Sequence, residues 1–163
     1  MIKMLRIDER LIHGQVAIAW SKVLSVTAIV VANDTAAGDN MIKMALKMAC
    51  PQAIKVAIKS VADAIALLND PRCGKMSILI VVDSPADALS IAKAVPNIPL
   101  INIGNCGRLD NKAANRRMLT EGLFVNDEEV QILKELVSTG IETEIRIVPE
   151  RQKTLLKNVL DKA

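Results

Sequence analysis

The chain has 163 residues, 51% of them hydrophobic and 24% charged, which suits one globular domain over residues 1–163 with a sizeable core. Its formal net charge is +3, its lysines and arginines are spread out, and Trp20 and Phe124 are its only aromatic residues. That excludes the concentrated basic, base-stacking face of a protein that binds nucleic acid.

A mildly basic surface suits an acidic protein partner or an anionic membrane surface. No window approaches the roughly 18 consecutive apolar residues of a membrane span, and with no long apolar run after residues 1–6 a secretory signal is not expected. Cys50, Cys73 and Cys106 are scattered, with no C-x-x-C pair and a single histidine in the chain, so neither a disulfide framework nor a metal site is expected. The expectation is a cytoplasmic protein with reduced thiols.

In chain order, a β-branched run at 2–7 predicts the first strand, an amphipathic stretch at 15–24 a helix, and 28–32 a second strand. A helix over 39–48 follows. In it Met41, Met44, Ala45 and Met48 recur at helical spacing and read as ordinary core patterning, with a methionine-rich binding groove as the alternative. Next come a strand at 54–58, a helix at 60–68, a strand at 77–82, a helix at 85–94 and a strand at 100–103. The unbroken run Ile78-Leu79-Ile80-Val81-Val82 is expected of a strand covered on both faces. The segment 118–125 has no clear period and fits an antiparallel hairpin or an edge strand. A helix at 128–139, a strand at 144–148 and a helix at 151–160 complete the chain. Strands alternating with helices predict an α/β domain: an open, mostly parallel sheet with helices on both faces and right-handed crossovers.

In such a sheet, ligands bind beyond the carboxyl ends of the strands, where the winding direction reverses. The first loop at that edge reads Asp8-Glu9-Arg10-Leu11-Ile12-His13-Gly14-Gln15, with two acids, an arginine, the chain's only histidine and a glycine. A neutral imidazole is a nucleophile near neutral pH and can form a covalent phosphoramidate. Arg10 offers a planar fork for phosphoryl oxygens. A helix starting near Gln15 offers unpaired amides, and Gly14 keeps side-chain bulk away from that approach. His13 and Arg10 are therefore candidate catalytic residues, with Gly14, Gln15 and Ser84 as candidate phosphoryl-binding residues; Asp8 joins the catalytic candidates only through resemblance to a known family. Turn capping would explain Asp8 and Glu9 as well, and helix capping is the leading account of Ser84, which has Asp87 three positions on. Asn33, Asp34 and Asn102 end other strands and fit either loop-forming or the mouth of the site. Gly104-Asn105-Cys106-Gly107 fits a turn or a phosphate cradle.

The segment Leu5-Arg6-Ile7-Asp8-Glu9-Arg10-Leu11-Ile12-His13-Gly14-Gln15-Val16, continuing to Trp20, resembles the hallmark of the IIB components of the mannose/fructose/sorbose family of bacterial sugar phosphotransferase systems. Val30-Val31-Ala32-Asn33-Asp34 and Ile101-Asn102-Ile103-Gly104-Asn105 extend the resemblance along the chain, and Glu9 departs from it by standing where many members carry aspartate. The resemblance implies a phosphotransferase without a cofactor. A phosphohistidine of a IIA component passes its phosphoryl group to His13, at Nδ1, and from there it goes to a sugar delivered by membrane components IIC and IID. It also implies a cytoplasmic protein that associates with the membrane permease complex. Arg10 matches the family's phosphoryl-stabilising arginine. Asp8 matches an acid of the active loop, whose expected role is to orient Arg10 or the loop backbone.

The sugar is a hexose or an amino sugar, with a lean toward N-acetylgalactosamine-type members. A relay that meets its partners in turn calls for an exposed His13 on a mobile loop. The rivals are Cys106 as a phosphocysteine, and a regulatory α/β module in which Asp83 accepts the phosphoryl group. A nucleotide-binding enzyme is disfavoured, because no G-x-G-x-x-G follows the first strand and Cys73-Gly74-Lys75-Met76-Ser77 is not a Walker loop.

Overall fold

The first strand of the sequence is the middle of the sheet. In the computed structural model, which describes residues 1–109 and 115–162, β1 (Ile2–Asp8) runs parallel between β4 (Ile78–Val82) and β5 (Ile101–Asn105). Outside β4 lie β2 (Ala28–Ala32) and the edge strand β3 (Lys55–Lys59), both parallel to their neighbours. Outside β5 lie the parallel β8 (Thr143–Ile145) and the antiparallel β9 (Thr154–Leu155), giving the order β3-β2-β4-β1-β5-β8-β9. A separate antiparallel hairpin joins β6 (Arg117–Thr120) to β7 (Leu123–Val125), one of the two readings of 118–125.

The helices divide by face because strand side chains alternate with period two. Met4, Ile29, Val31, Leu79 and Val81 form one core with α1 (Gly14–Leu24) and α3 (Asn40–Ala49), which contribute Trp20 and Leu46. Leu5, Ile7, Ile80, Val82 and Ile103 form the other core. It packs against α4 (Val61–Leu68), α5 (Pro85–Ala94), α6 (Asp127–Ser138) and α7 (Leu156–Leu160). Short polar side chains start these helices by accepting first-turn amides: Asp39 for α3, Ser60 for α4, Ser84 for α5 and Asn126 for α6. Asn126 and Glu129 complete a reciprocal capping box.

Three expectations need correction. The methionine stripe of α3 does not face the core: Met41, Met44 and Met48 are 82%, 65% and 80% exposed, and Ile42, Leu46 and Ala49 pack inward instead. Both sides of this helix are apolar, so periodicity alone could not choose between them. The last main strand ends at Ile145, not Val148, because the carbonyls of Arg146 and Ile147 are taken by Arg6, Asn102 and Trp20. The helix predicted over 151–160 is reduced to Leu156–Leu160, because Thr154 and Leu155 pair with the open edge of β8. A one-turn helix, α2 (Asp34–Ala37), capped by Asn33, was not legible in the sequence.

The reversed helix predicts opposite outcomes for neighbouring truncations. Leu46→Ala should cost about 2–5 kcal/mol in a urea titration. Met44→Ala should stay within about 0.5 kcal/mol, as exposed substitutions do. Equal losses would return the methionines to the core.

Candidate active site

Chain connectivity places a crevice at the end of β1. The helix that follows β1 covers one face of the sheet, while the helix that follows the adjacent β4 covers the other. At the carboxyl end of β1 the backbone turns sharply. The amide of Leu11 donates to the Asp8 carbonyl (2.8 Å), and Arg10 N–H donates to Asp8 Oδ1 (3.0 Å). Leu11 adopts φ 60°, an uncommon left-handed conformation for a leucine, and is held there by partial burial beside the buried Ile12. Glu9 ties the loop down from the other side. Its amide donates to the Asn105 carbonyl (2.9 Å), and its carboxylate accepts from the amides of Arg108 and Leu109 (3.1 Å). The loop expected to be mobile is thus fastened by Asp8, Glu9 and Ile12.

His13 is the N-cap residue of α1, but its side chain does not cap the helix. It points instead to Asp8, with Nε2 3.2 Å from Oδ2, and its side chain is 27% exposed rather than fully open. Among the described residues nothing hydrogen-bonds to Nδ1. A carboxylate facing Nε2 selects the tautomer with the proton on Nε2, which leaves the Nδ1 lone pair available. The first amide of α1 to find an intrahelical acceptor is that of Ala17, on the His13 carbonyl. The amides of Gly14, Gln15 and Val16 are left as donors beside the imidazole. Gly14 has φ 38° with open space around its Cβ position, so backbone conformation rather than crowding calls for glycine there. Arg10 is exposed, and its guanidinium has no partner among the described residues.

Asp8 is fully buried, and what holds it is Arg6, which the sequence reading did not single out. Arg6 Nη2 donates to Asp8 Oδ2 (2.8 Å) and to the Ile147 carbonyl (3.1 Å), and Nη1 donates to Asn102 Oδ1 (2.5 Å). Asn102 in turn donates to Glu144 Oε1 (3.0 Å). Arg6 and Arg146 each place a guanidinium 5.7 Å from the centre of the Trp20 ring, and Trp20 Nε1 donates to the Ile147 carbonyl (3.1 Å). Burial lowers the pKa of Arg6, and the adjacent Asp8 opposes that shift, as does Glu144. A signal for this network did exist: Arg6, Asn102 and Glu144 are polar residues in apolar strands. The register Arg6↔Asn102↔Glu144 sets them side by side across three neighbouring strands.

Gly104 lies within strand β5, and the space its missing side chain leaves is filled by Arg6. A Cβ at 104 would lie 2.1 Å from Arg6 Nη2. Ser84 Oγ accepts the Asp87 amide (3.2 Å) as a helix cap. It lines a cleft of about 340 Å³ with Glu9, Asp83, Cys106, Arg116 and Glu129, and His13 is not in that lining. Cys106 is buried, and its pKa is pushed up to about 12, by burial first and then by Glu129 and Glu9. A thiol so placed stays protonated at neutral pH, which disfavours the phosphocysteine rival.

Over residues 2–163 the chain matches the family described as PTS system sorbose subfamily IIB component. The chain belongs to that family. A probable phosphotransferase enzyme IIB component of Streptococcus pyogenes is 41% identical over 163 residues, covering 99% of this chain and 100% of the relative. The sorbose-specific EIIB component of Klebsiella pneumoniae is 30% identical, covering 99% and 94%. The mannose-specific EIIAB component of Escherichia coli K12 is 28% identical over 99% of this chain, which spans about half (49%) of that longer protein.

Among solved structures, the IIBSor domain of the sorbose permease from Klebsiella pneumoniae superposes with TM-score 0.91 at 26% identity, covering 100% of this chain and 98% of that one. An N-acetyl-galactosamine IIB component from Streptococcus pyogenes gives 0.81 at 27%, covering 96% of each chain. The chain is accordingly a phosphoryl carrier in sugar uptake, a phosphotransferase, and the reading as a regulatory module is not favoured. The EIIAB relative joins a IIA name to the IIB name, in keeping with a IIA partner.

Two tests follow from the buried groups. Gly104→Ala should overpack the Arg6 pocket and cost about 1–3 kcal/mol in denaturant unfolding, or more if Arg6 cannot shift. An unchanged midpoint would show the pocket to be looser than the geometry implies. Asp87 has its pKa raised to about 6, first by burial and then by Asp83 and Asp34. The folded protein therefore holds a proton that the unfolded chain has released, and stability falls as pH rises from about 4 to about 6. Asp87→Asn should raise the Tm near neutral pH and lose that advantage near about pH 4. A gain that is independent of pH would refute the shift.

Proposed function

We propose that His13 carries the phosphoryl group on Nδ1 and that Asp8 sets it up to do so. The observation that carries this reading is the 3.2 Å approach of His13 Nε2 to the fully buried Asp8 carboxylate. In the first step, Nδ1 attacks the phosphorus of a phosphohistidine on the IIA component. The donor P–N bond breaks as the new one forms, and the positive charge left on the His13 ring faces Asp8 through Nε2–H. In the second step, a sugar hydroxyl attacks the same phosphorus and gives up its proton to solvent. The P–N bond breaks, and the imidazole returns to its neutral tautomer.

Arg10 and the amides of Gly14, Gln15 and Val16 supply donors for the phosphoryl oxygens. Both steps exchange bonds with little covalent work for the protein, so alignment and charge neutralisation are its contribution. The acceptor is a hexose or an amino sugar presented by membrane components IIC and IID, with the chain on the cytoplasmic side of that permease complex. Ser84 has a weaker claim on the phosphoryl group, because its hydroxyl already caps α5.

Incubated with phosphoenolpyruvate, the general phosphotransfer proteins and its IIA partner, the protein should gain one acid-labile, base-stable phosphoryl group. His13→Ala should fold and accept none. Label retained on Cys106 or Asp83 in that variant would move the site. Arg10→Ala should slow transfer roughly thirty- to a hundredfold with an unchanged unfolding midpoint. Arg10→Lys should recover only part of the rate, since it keeps the charge and loses the fork. Transfer at the wild-type rate in Arg10→Ala would remove Arg10 from the mechanism.

A further inference from the structure

The two helical layers of this protein differ in character. Among the described residues the exposed large hydrophobic side chains are Met1, Ile18, Val23, Met41, Met44, Met48, Leu109 and Met118, and five of these eight lie on α1 and α3. Those two helices contain Lys22, Lys43 and Lys47 and no acidic residue at all. The opposite layer, α4 to α7, contains Asp63, Asp87, Asp127, Glu128, Glu129 and Glu135. Its lysines are Lys93, Lys134 and Lys157. Counted over these six helices, α1 and α3 carry three positive charges and α4 to α7 a net three negative (three lysines against six acids); Asp34 of α2, which packs on the α1/α3 side through Ala36, brings that side to a net two positive. The acids that flank α3 in the chain are engaged: Asp39 caps the amides of Met41 and Ile42, and Asp34 accepts from the amide of Val61.

We propose that the α1/α3 layer is a surface for docking onto an anionic lipid bilayer. Charge complementarity names a negatively charged occupant, and three further features favour a bilayer over a protein. The apolar side chains are interleaved with lysines: Lys22 lies one turn beyond Ile18, and Lys43 and Lys47 run along one flank of the methionine stripe. Lysine is depleted from protein interfaces, whereas lysine beside apolar side chains marks helices that lie in a membrane surface. The face exposes no Trp, Tyr or Arg of the kind that anchors protein interfaces, since Trp20 is buried. The cavities of about 460, 340, 260 and 220 Å³ are all lined by residues other than these side chains. Flexible methionines reaching below the headgroups, with lysines at phosphate level, fit that surface. A second copy is disfavoured because it would set three lysines against three.

The vesicle-binding readout involves neither the phosphoryl chemistry nor the IIA partner, and phosphoryl acceptance serves only as a control on the variants. The full chain is sedimented with vesicles of phosphatidylcholine alone or mixed with phosphatidylglycerol. Binding to the anionic vesicles should exceed binding to the neutral ones at least about tenfold, since each surface lysine is worth roughly a fivefold gain. It should collapse at high salt, as screening requires. The triple variant Met41→Gln/Met44→Gln/Met48→Gln, and separately Lys43→Gln/Lys47→Gln, should lose most of that binding. Both variants should keep the wild-type unfolding midpoint and should accept phosphoryl groups normally from soluble donor. Three results would overturn the proposal. One is equal sedimentation with both vesicle types, and another is variants that bind like wild type. The third is concentration-dependent dimerisation abolished by the methionine variant, which would assign the face to a second copy.

Discussion

A buried charge must be answered by another buried charge, and in this molecule that constraint falls on Arg6 and Asp8. Both sit on the central strand with almost no solvent, joined at 2.8 Å. Taking two ions out of water is costly, and removing one partner of such a pair typically costs about 3–5 kcal/mol. The surroundings are built to hold them. Asn102 and two backbone carbonyls accept from the guanidinium, Trp20 lies against it, and Gly104 leaves it room. With one Asp8 oxygen held by Arg6 and the other by the Arg10 amide, the carboxylate meets His13 from a fixed position.

That arrangement separates two tasks that a phosphoryl relay must combine. Orientation of the imidazole comes from below, through a buried network of Asp8, Arg6, Asn102 and Glu144. The groups proposed to face the moving phosphoryl group come from above: Arg10, exposed and without a partner among the described residues, and the first amides of α1. A carrier that must receive from one protein and deliver to another gains from this division, because successive partners can share the outer groups while the inner ones keep the proposed acceptor nitrogen aimed. Glu9 adds a lateral tie by gripping the amides of Arg108 and Leu109.

The α/β architecture was legible in the sequence because strongly periodic segments dominate it. The run 78–82 and the helix 85–94 lie where apolar patterning and the Ser84-Pro85 start predict them. The candidate loop lies at a strand end, as the sequence predicts where one histidine, one arginine and a glycine stand together after an apolar run. Three kinds of information were hidden. Registry across strands decides that Arg6, Asn102 and Glu144 are neighbours, and a single chain does not print its register. The amphipathic sense of α3 was ambiguous, because Met41-Met44-Met48 competes with Ile42-Leu46-Ala49 and only the packed sheet selects the second. The end of the chain was misread because Thr154 and Leu155 answer the free edge of β8, a demand set by tertiary structure and not by local propensity.

The central claim is that Asp8 holds the proton of neutral His13 on Nε2 and so presents Nδ1 for phosphorylation. Long-range proton–nitrogen NMR of the nitrogen-labelled protein, free and phosphorylated, tests it directly, because the chain's single histidine leaves one set of ring signals to assign. The account predicts an Nε2–H tautomer in the free protein and phosphorus coupled to Nδ1 in the phosphorylated form. A free protein in the Nδ1–H tautomer, or phosphorus on Nε2, would contradict it.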